Sequence, residues 1–356
     1  MNLFEQSAEL RARSVVATLG FGSGNLPSRL RDLGVEVVEL KMPRLRQAWR
    51  LAPVFLRLRA LARERGVQVV IGNGGHPQIV AGLTARLAGA RSVFIAHMIY
   101  PHPIWKNDPR DMLALGGPLD LILAVSKSAQ STLAQLRPSV PNALMYNGTP
   151  VREVALDDAR AARRELNVAP DEILIGVFGR LQRWKGQDVF VEAAAEVARL
   201  RPAAKFVVVG GSVFGLEQEF AEALRRRADQ LGLAGRLTFT GFRTDVPRLM
   251  AACDVVCHTT RVAEPFGLVV VEAMGLGRAT IASAGGGPSE IITPDTGVLV
   301  PPDDPGALAR AVVALMDDAR RRQDLGDRAR ERVRREFGME KMTATLLGHL
   351  NALTKA

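Results

Sequence analysis

The stretch Glu264-Pro265-Phe266-Gly267-Leu268-Val269-Val270-Val271-Glu272 sets two carboxylates on either side of a turn that runs into an apolar segment. Pro265 and Gly267 suit a tight turn. A helix starting near Leu268 would aim its unpaired first amides and the positive end of its dipole at an anionic ligand. Glu264 then stands before that helix, and Glu272 lies about one turn inside it. One carboxylate accepts hydrogen bonds from two neighbouring hydroxyls, so two acids at one helix entrance suit a ligand with a ribose and a second sugar. An ordinary capped helix with a surface Glu has the same spacing, so the pair gains meaning only from its surroundings.

On either side of this stretch lie two further loops with phosphate chemistry. Gly179-Arg180-Leu181-Gln182-Arg183-Trp184-Lys185-Gly186 follows the apolar run Ile173 to Phe178, which puts Arg180 and Lys185 on a loop at a strand's C-terminal end. Two such cations can grip a diphosphate and stabilise the charge that grows on it when a glycosidic bond breaks. Downstream, Ala284-Gly285-Gly286-Gly287-Pro288-Ser289-Glu290 joins a strand to a helix, and its glycines let backbone amides approach a phosphate. Each loop alone reads equally well as surface decoration; the order basic loop, paired acids, glycine turn is what points to a nucleotide sugar.

Short apolar runs alternate with longer amphipathic segments along the whole chain, the pattern of parallel sheets with crossover helices. Strands are expected at Val15 to Leu19, Val35 to Leu40, Val67 to Ile71, Ser92 to Ala96, Leu121 to Val125 and Ala143 to Tyr146. A second series is expected at Ile173 to Phe178, Lys205 to Val209, Leu237 to Thr240, Val255 to His258, Thr280 to Ala282 and Gly297 to Val300. Two α/β Rossmann-like domains facing each other across a cleft follow, with the boundary at the turn formers Asn147-Gly148-Thr149-Pro150. A shared ligand belongs at the C-terminal ends of the strands.

The chain has 356 residues, 47% hydrophobic, enough for two domains with cores of their own. Cys253 and Cys257 are too few for a disulfide framework and read as core residues of a cytoplasmic protein. No apolar run reaches membrane-span length, and the first residues lack the features of a secretion signal. Residues 1–150 hold 18 Lys and Arg against 9 Asp and Glu, so nearly all of the net charge of +10 sits in the first half. Arg46, Arg50 and Arg57 would share a helical stripe beside Leu45, Trp49, Phe55 and Leu56. A peripheral contact with an anionic membrane or a lipid-phosphate acceptor is one reading of that stripe, and a solvated Arg-rich face is the other. With 5% aromatic residues and no motif interleaving them with the cations, no nucleic-acid partner is expected.

Taken together, the residues of the second half resemble a retaining glycosyltransferase of family 4, which has the two-domain GT-B fold. The resemblance spans nearly all of residues 147–345. It rests on Gly179-Arg180 with Lys185-Gly186, Gly241-Phe242, Asp254, Glu264-Pro265-Phe266-Gly267 with Glu272, Gly286-Gly287 and Glu290. Phe337-Gly338-Met339-Glu340 is similar to the start of the family's crossing helix, with Met339 where an aromatic is usual. It implies domains at 1–149, joined by a crossing helix of about 338–356, and at 150–337.

The resemblance further implies that Glu272 holds the ribose hydroxyls, Glu264 the hydroxyls of the transferred sugar, and Arg180 and Lys185 the diphosphate. Amides of Phe266, Gly267 and Leu268 would support the sugar and phosphates, with Gly179, Gly286 and Gly287 close by, and the backbone near Arg243 would contact the base. His97, at the end of Val93-Phe94-Ile95-Ala96, stands where the family carries a histidine facing the transferred sugar; without the resemblance it reads as a core or loop histidine. Tyr100, His102, Trp105 and Lys106 follow on a loop expected to reach the acceptor, as does Gly72-Asn73-Gly74-Gly75-His76. The implied reaction moves a hexose from a nucleoside diphosphate, a UDP-sugar before GDP- or ADP-sugars, to a glycan, lipid-linked or small-molecule acceptor. Configuration is retained, and no cofactor is implied. The chain contains no Asp-x-Asp, so Arg180 and Lys185 would take the place of a metal at the diphosphate.

One departure stands out. The family opens with strand, glycine turn and helix, whereas residues 5–13 here read as that helix and the first strand-like run, at Val15, corresponds to the family's second strand. Gly20, Gly22 and Gly24 match a later loop. Loss of a central strand would expose two inner sheet edges. A misplaced start or a truncation is one account, a natural variant the other, and a non-catalytic sugar-nucleotide-binding subunit or a sugar-nucleotide epimerase are the alternative functions.

Overall fold

The computed structural model describes residues 2–20, 25–41, 51–100, 109–211 and 217–355. Leu45, Arg46, Trp49, Arg50, His102, Trp105, Lys106, Gly22 and Gly24 therefore lie outside the described residues. The chain divides into two compact units, one of residues 1–148 with 339–356 and one of residues 149–338.

The first unit holds β1 (Val15–Leu19), β2 (Glu36–Leu40), β3 (Val69–Asn73), β4 (Arg91–Ala96), β5 (Leu121–Ala124) and β6 (Asn142–Leu144). They form two separate parallel sheets, β1-β2 and β3-β4-β5-β6. β4 and β5 are buried almost throughout, as strands covered on both faces by helices must be. β1 and β3 each have a strand on one side only among the described residues, and all five residues of β1 are half-buried while Ile71 of β3 is 37% exposed. The terminal helix Met339–Lys355 packs in this unit against Asn2–Gln6.

Two local expectations change. The single helix over 5–13 is broken into Asn2–Gln6 and Ala8–Arg13, because Ser7 is extended (ψ 108°) and its Oγ accepts from Leu10 N at 3.1 Å, a capping bond that starts a new helix. β3 begins two residues later than the apolar run suggests. Val67 N is spent on Ala62 O at 2.8 Å, closing the preceding helix through Gly66.

The second unit holds β7 (Ile173–Phe178), β8 (Ala204–Val209), β9 (Leu237–Gly241), β10 (Val255–His258), β11 (Ala279–Ser283) and β12 (Val298–Val300). They make one continuous parallel sheet in the order β12-β11-β10-β7-β8-β9. Phe190, Phe206, Leu224, Leu308 and Val312 pack in one core cluster, and Phe178, Val207, Met250 and Ala273 in another. Cys253 and Cys257 are free and buried, and burial pushes both thiols up, so they behave as core residues. The strand order reverses between β7 and β10, which is where a doubly wound sheet opens a crevice for ligands.

Candidate active site

Three loops leave the C-terminal ends of β7, β10 and β11, neighbours across the reversal, and backbone contacts tie them together. Arg261 N donates to Trp184 O at 2.9 Å, and Thr259 Oγ1 donates to Lys185 O at 3.1 Å. Gly186 is held at φ +66° with Thr259 O so close that a Cβ would sit 1.9 Å from it, so only glycine closes the basic loop against the strand beside it. On the other side Gly287 N donates to Glu264 O at 2.8 Å, and a Cβ on Gly287 would meet Phe266 O at 2.1 Å. The basic loop, the paired acids and the glycine turn are therefore one assembly within this unit.

At its centre Lys185 Nζ lies 2.7 Å from Glu264 Oε2, with side chains 19% and 12% exposed. His258 Nε2 is 3.4 Å from the same oxygen. Burial alone would raise the Glu264 carboxyl; the His258 ring and the Lys185 ammonium outweigh it and hold it down to about 2. Glu264 is thus a fixed acceptor at neutral pH. The Lys185 ammonium also lies 4.0 Å over the Trp184 ring, and of its three N–H groups Glu264 occupies one.

Gly267, at φ +101°, leads into the helix Leu268–Gly275, whose first amides have no partner within the helix. Phe266 is buried edge-on against Phe337, ring centroids 6.1 Å apart, which fixes the turn. Glu272 projects from that helix into solvent, yet surrounding protein atoms push its carboxyl up, with Arg152 countering. The two acids of one motif are shifted in opposite directions. Arg180 is exposed, its backbone anchored by Gln187 Nε2 donating to its carbonyl at 2.8 Å. The Arg243 side chain is committed to Asp245 (2.8 Å) and Glu165 (2.7 Å), so what this position offers a ligand is its backbone. Among the described residues no cluster of three or more His, Cys, Asp or Glu could hold a metal ion.

The family profile "Glycosyl transferases group 1" matches residues 158–332, and "Glycosyltransferase Family 4" matches residues 2–153. The GDP-mannose-dependent α-(1-6)-phosphatidylinositol monomannoside mannosyltransferase of Mycolicibacterium smegmatis is 30% identical over 288 residues, 77% of this chain and 73% of that protein. The chain belongs to glycosyltransferase family 4. The lipopolysaccharide core biosynthesis mannosyltransferase LpsB of Rhizobium meliloti is also 30% identical, over 62% of each chain, so this chain spans less than two thirds of that relative. The crystal structure of Anabaena HepE in complex with UDP-glucose superposes with a TM-score of 0.86 at 26% identity, covering 98% of this chain and 94% of that one. The likeness shows the GT-B fold.

In the first unit of this family 4 chain, His97 follows β4 and its Nε2 lies 2.6 Å from Oδ1 of Asn73, the last residue of β3. Burial lowers the His97 imidazole, so the neutral ring is favoured. Gly74 N donates to Ile95 O at 3.1 Å, joining the same two strand ends through the backbone. Tyr100 is buried in the core beside Phe94 and Leu115, so it supports the loop rather than facing solvent. Sequence reasoning missed His258 and the Asn73–His97 pair. His258 is hidden as the last residue of an apolar strand; its one signal is a polar ring in a wholly buried run.

Proposed function

We propose that this chain moves a sugar from a nucleoside diphosphate to an acceptor hydroxyl with retention of configuration and without a metal. The bond between the anomeric carbon and the diphosphate oxygen breaks. A bond from that carbon to the acceptor oxygen forms on the same face, and the acceptor proton passes to the leaving diphosphate. In this reading Arg180 and Lys185 take the charge that develops on the diphosphate. Amides of Phe266, Gly267 and Leu268 support it, with Gly179, Gly286 and Gly287 leaving room for close approach. Glu272 accepts from the ribose hydroxyls, the Arg243 backbone meets the base, and Glu264 and His97 face the transferred sugar. The observation that carries the reading is the Lys185–Glu264 pair at the switch between β7 and β10, a cation for the diphosphate 2.7 Å from an acceptor for sugar hydroxyls.

A UDP-sugar is the first donor reading, supported by the end-to-end likeness to a protein crystallised with UDP-glucose. GDP-mannose is the second, supported by the name of the Mycolicibacterium smegmatis relative, which is GDP-mannose-dependent. A lipid-linked acceptor fits the same name, and Arg57, exposed beside the 60% exposed Leu56 on the helix Ala52–Glu64, would face an anionic bilayer. Calorimetry with UDP, GDP, UDP-glucose and GDP-mannose tests the donor. Glu272→Ala should weaken nucleoside diphosphate binding by roughly 1.5–3 kcal/mol. Glu264→Ala should cost turnover more than nucleoside diphosphate affinity. Equal affinity in the wild type and Glu272→Ala would remove the ribose assignment.

A further inference from the structure

His258 ends β10 after three buried apolar residues, Val255, Val256 and Cys257, and is itself only 5% exposed. Its Nδ1 is buried without a hydrogen-bond partner among the described residues. An unpaired ring nitrogen in a core is costly, and an apolar side chain of similar volume would fill the site without that cost. The return must therefore come from the other nitrogen. Nε2 lies 3.4 Å from Glu264 Oε2, the oxygen that Lys185 Nζ already approaches at 2.7 Å. Lys185 Nζ, hydrogen-bonded from the loop after β7, and His258 Nε2, at ion-pair distance from the end of β10, approach the same oxygen of a buried carboxylate. Oε1 receives no hydrogen bond among the described residues, which leaves its lone pairs for a ligand.

We propose that His258 is a positioning residue, fixing the Glu264 carboxylate through Oε2 so that Oε1 is presented to the hydroxyls of the donor sugar. A proton on Nε2 directed at Oε2 does this; the orphaned Nδ1 is the consequence. The proposal rests on the reading of Glu264 as the acceptor for the transferred sugar, and the variants separate the two.

The test is calorimetry with UDP and UDP-glucose, and with GDP and GDP-mannose, on the wild type, Glu264→Ala, His258→Phe and His258→Gln. The pair whose sugar nucleotide binds the wild type more tightly is used. His258→Phe keeps an aromatic ring in the site and removes both ring nitrogens; affinity for the sugar nucleotide should fall about tenfold while that for the bare diphosphate stays within about twofold. His258→Gln, whose side-chain amide can reach where Nε2 stood, should recover sugar-nucleotide affinity to within about threefold. His258→Leu replaces the Phe variant if the larger ring does not fold. Equal losses for diphosphate and sugar nucleotide, or a Gln variant as weak as Phe, would overturn the proposal. If Glu264→Ala weakens sugar-nucleotide binding and His258→Phe does not, this proposal alone falls; if Glu264→Ala has no effect, the reading of Glu264 falls with it.

Discussion

The two units use the same alternation of strand and helix, yet the second closes one six-stranded sheet while the first holds a pair and a quartet of strands. The consequence is visible in the loops. In the second unit the loops after β7, β10 and β11 follow hydrogen-bonded neighbours, so backbone bonds can lock them to each other and fix side chains from distant parts of the sequence at hydrogen-bond distance. In the first unit that locking is seen between the ends of β3 and β4. Among the described residues β1 pairs with β2 alone, outside the sheet that leads into His97. A continuous sheet is what lets weak sequence signals become a rigid site.

The largest effect expected from this difference is on ion pairs. Lys185 and Glu264 are drawn into the sheet's switch point and are mostly buried, so Lys185→Ala would strand a carboxylate and should cost about 3–5 kcal/mol in urea unfolding. Replacing both residues, Lys185→Met with Glu264→Leu, should recover much of that loss, because no charge is left unpaired. In the first unit Arg65 and Glu36 make an equally short contact, 2.8 Å, between half-exposed side chains, and Arg65→Ala should leave the unfolding midpoint unchanged. Similar losses at the two sites would mean that sheet continuity does not govern how firmly the loops are held.

Backbone exchange measures the same contrast directly. Amides of β7 and β10, paired on both sides, should exchange only on global opening. Those of the two-stranded β1-β2 sheet should exchange at least about a hundredfold faster, since an isolated strand pair is marginal in water. Equal protection would show that the first unit's two sheets open as one body.

Much of this contrast can be traced to what a single sequence exposes. Parallel strands buried on both faces read as plain apolar runs, so Ile173–Phe178 and Val255–His258 are found at the residues expected, as is the half-buried but equally apolar Val15–Leu19. Where the chain spends a residue on a turn the run misleads, as at Val67, whose amide closes a helix before β3 begins. Ser7 shows the same limit: its capping bond interrupts a segment whose composition is helical throughout. The paired acids, the basic loop and the glycine turn were legible because charged residues and glycines stand out directly after apolar strand runs. Their partners were not. Lys185 and Glu264 are 79 positions apart, and Asn73 and His97 are 24 apart, so each pair exists only once strands are neighbours.

The two acids sharpen the comparison at the level of one motif. Glu264 is held at about 2, so the stability its contacts supply is present above the ordinary carboxylate value of 4.5 and is lost as pH falls toward 2. Glu272 is raised above 4.5, so on acidification from pH 7 it takes up a proton first. Affinity for UDP-glucose or GDP-mannose, neither of which titrates in this range, should therefore drop by about tenfold before the Glu264 pair is disturbed. In Glu272→Gln that early drop should vanish. A wild-type affinity that stays flat until the protein unfolds would separate Glu272 from the ligand.

The smallest effect tests a side-chain lock of the first unit. Burial lowers the wild-type His97 imidazole below its ordinary 6.5, so protonation opposes the fold and this group lowers stability as pH falls through that value. Asn73→Asp would set a carboxylate where Oδ1 now lies, 2.6 Å from Nε2, favouring the imidazolium and raising the imidazole by about one pH unit or more. Where that rise carries the imidazole above 6.5 the sign reverses: the new pair stabilises below 6.5, and its contribution fades as pH rises through the raised value. NMR titration of His97, with unfolding at pH 5 and pH 8, reads both changes, expected near 1.4 kcal/mol for each pH unit. If the imidazole titrates alike in both proteins, the ends of β3 and β4 do not hold His97 against Asn73, and their locking rests on the backbone bond from Gly74 N to Ile95 O.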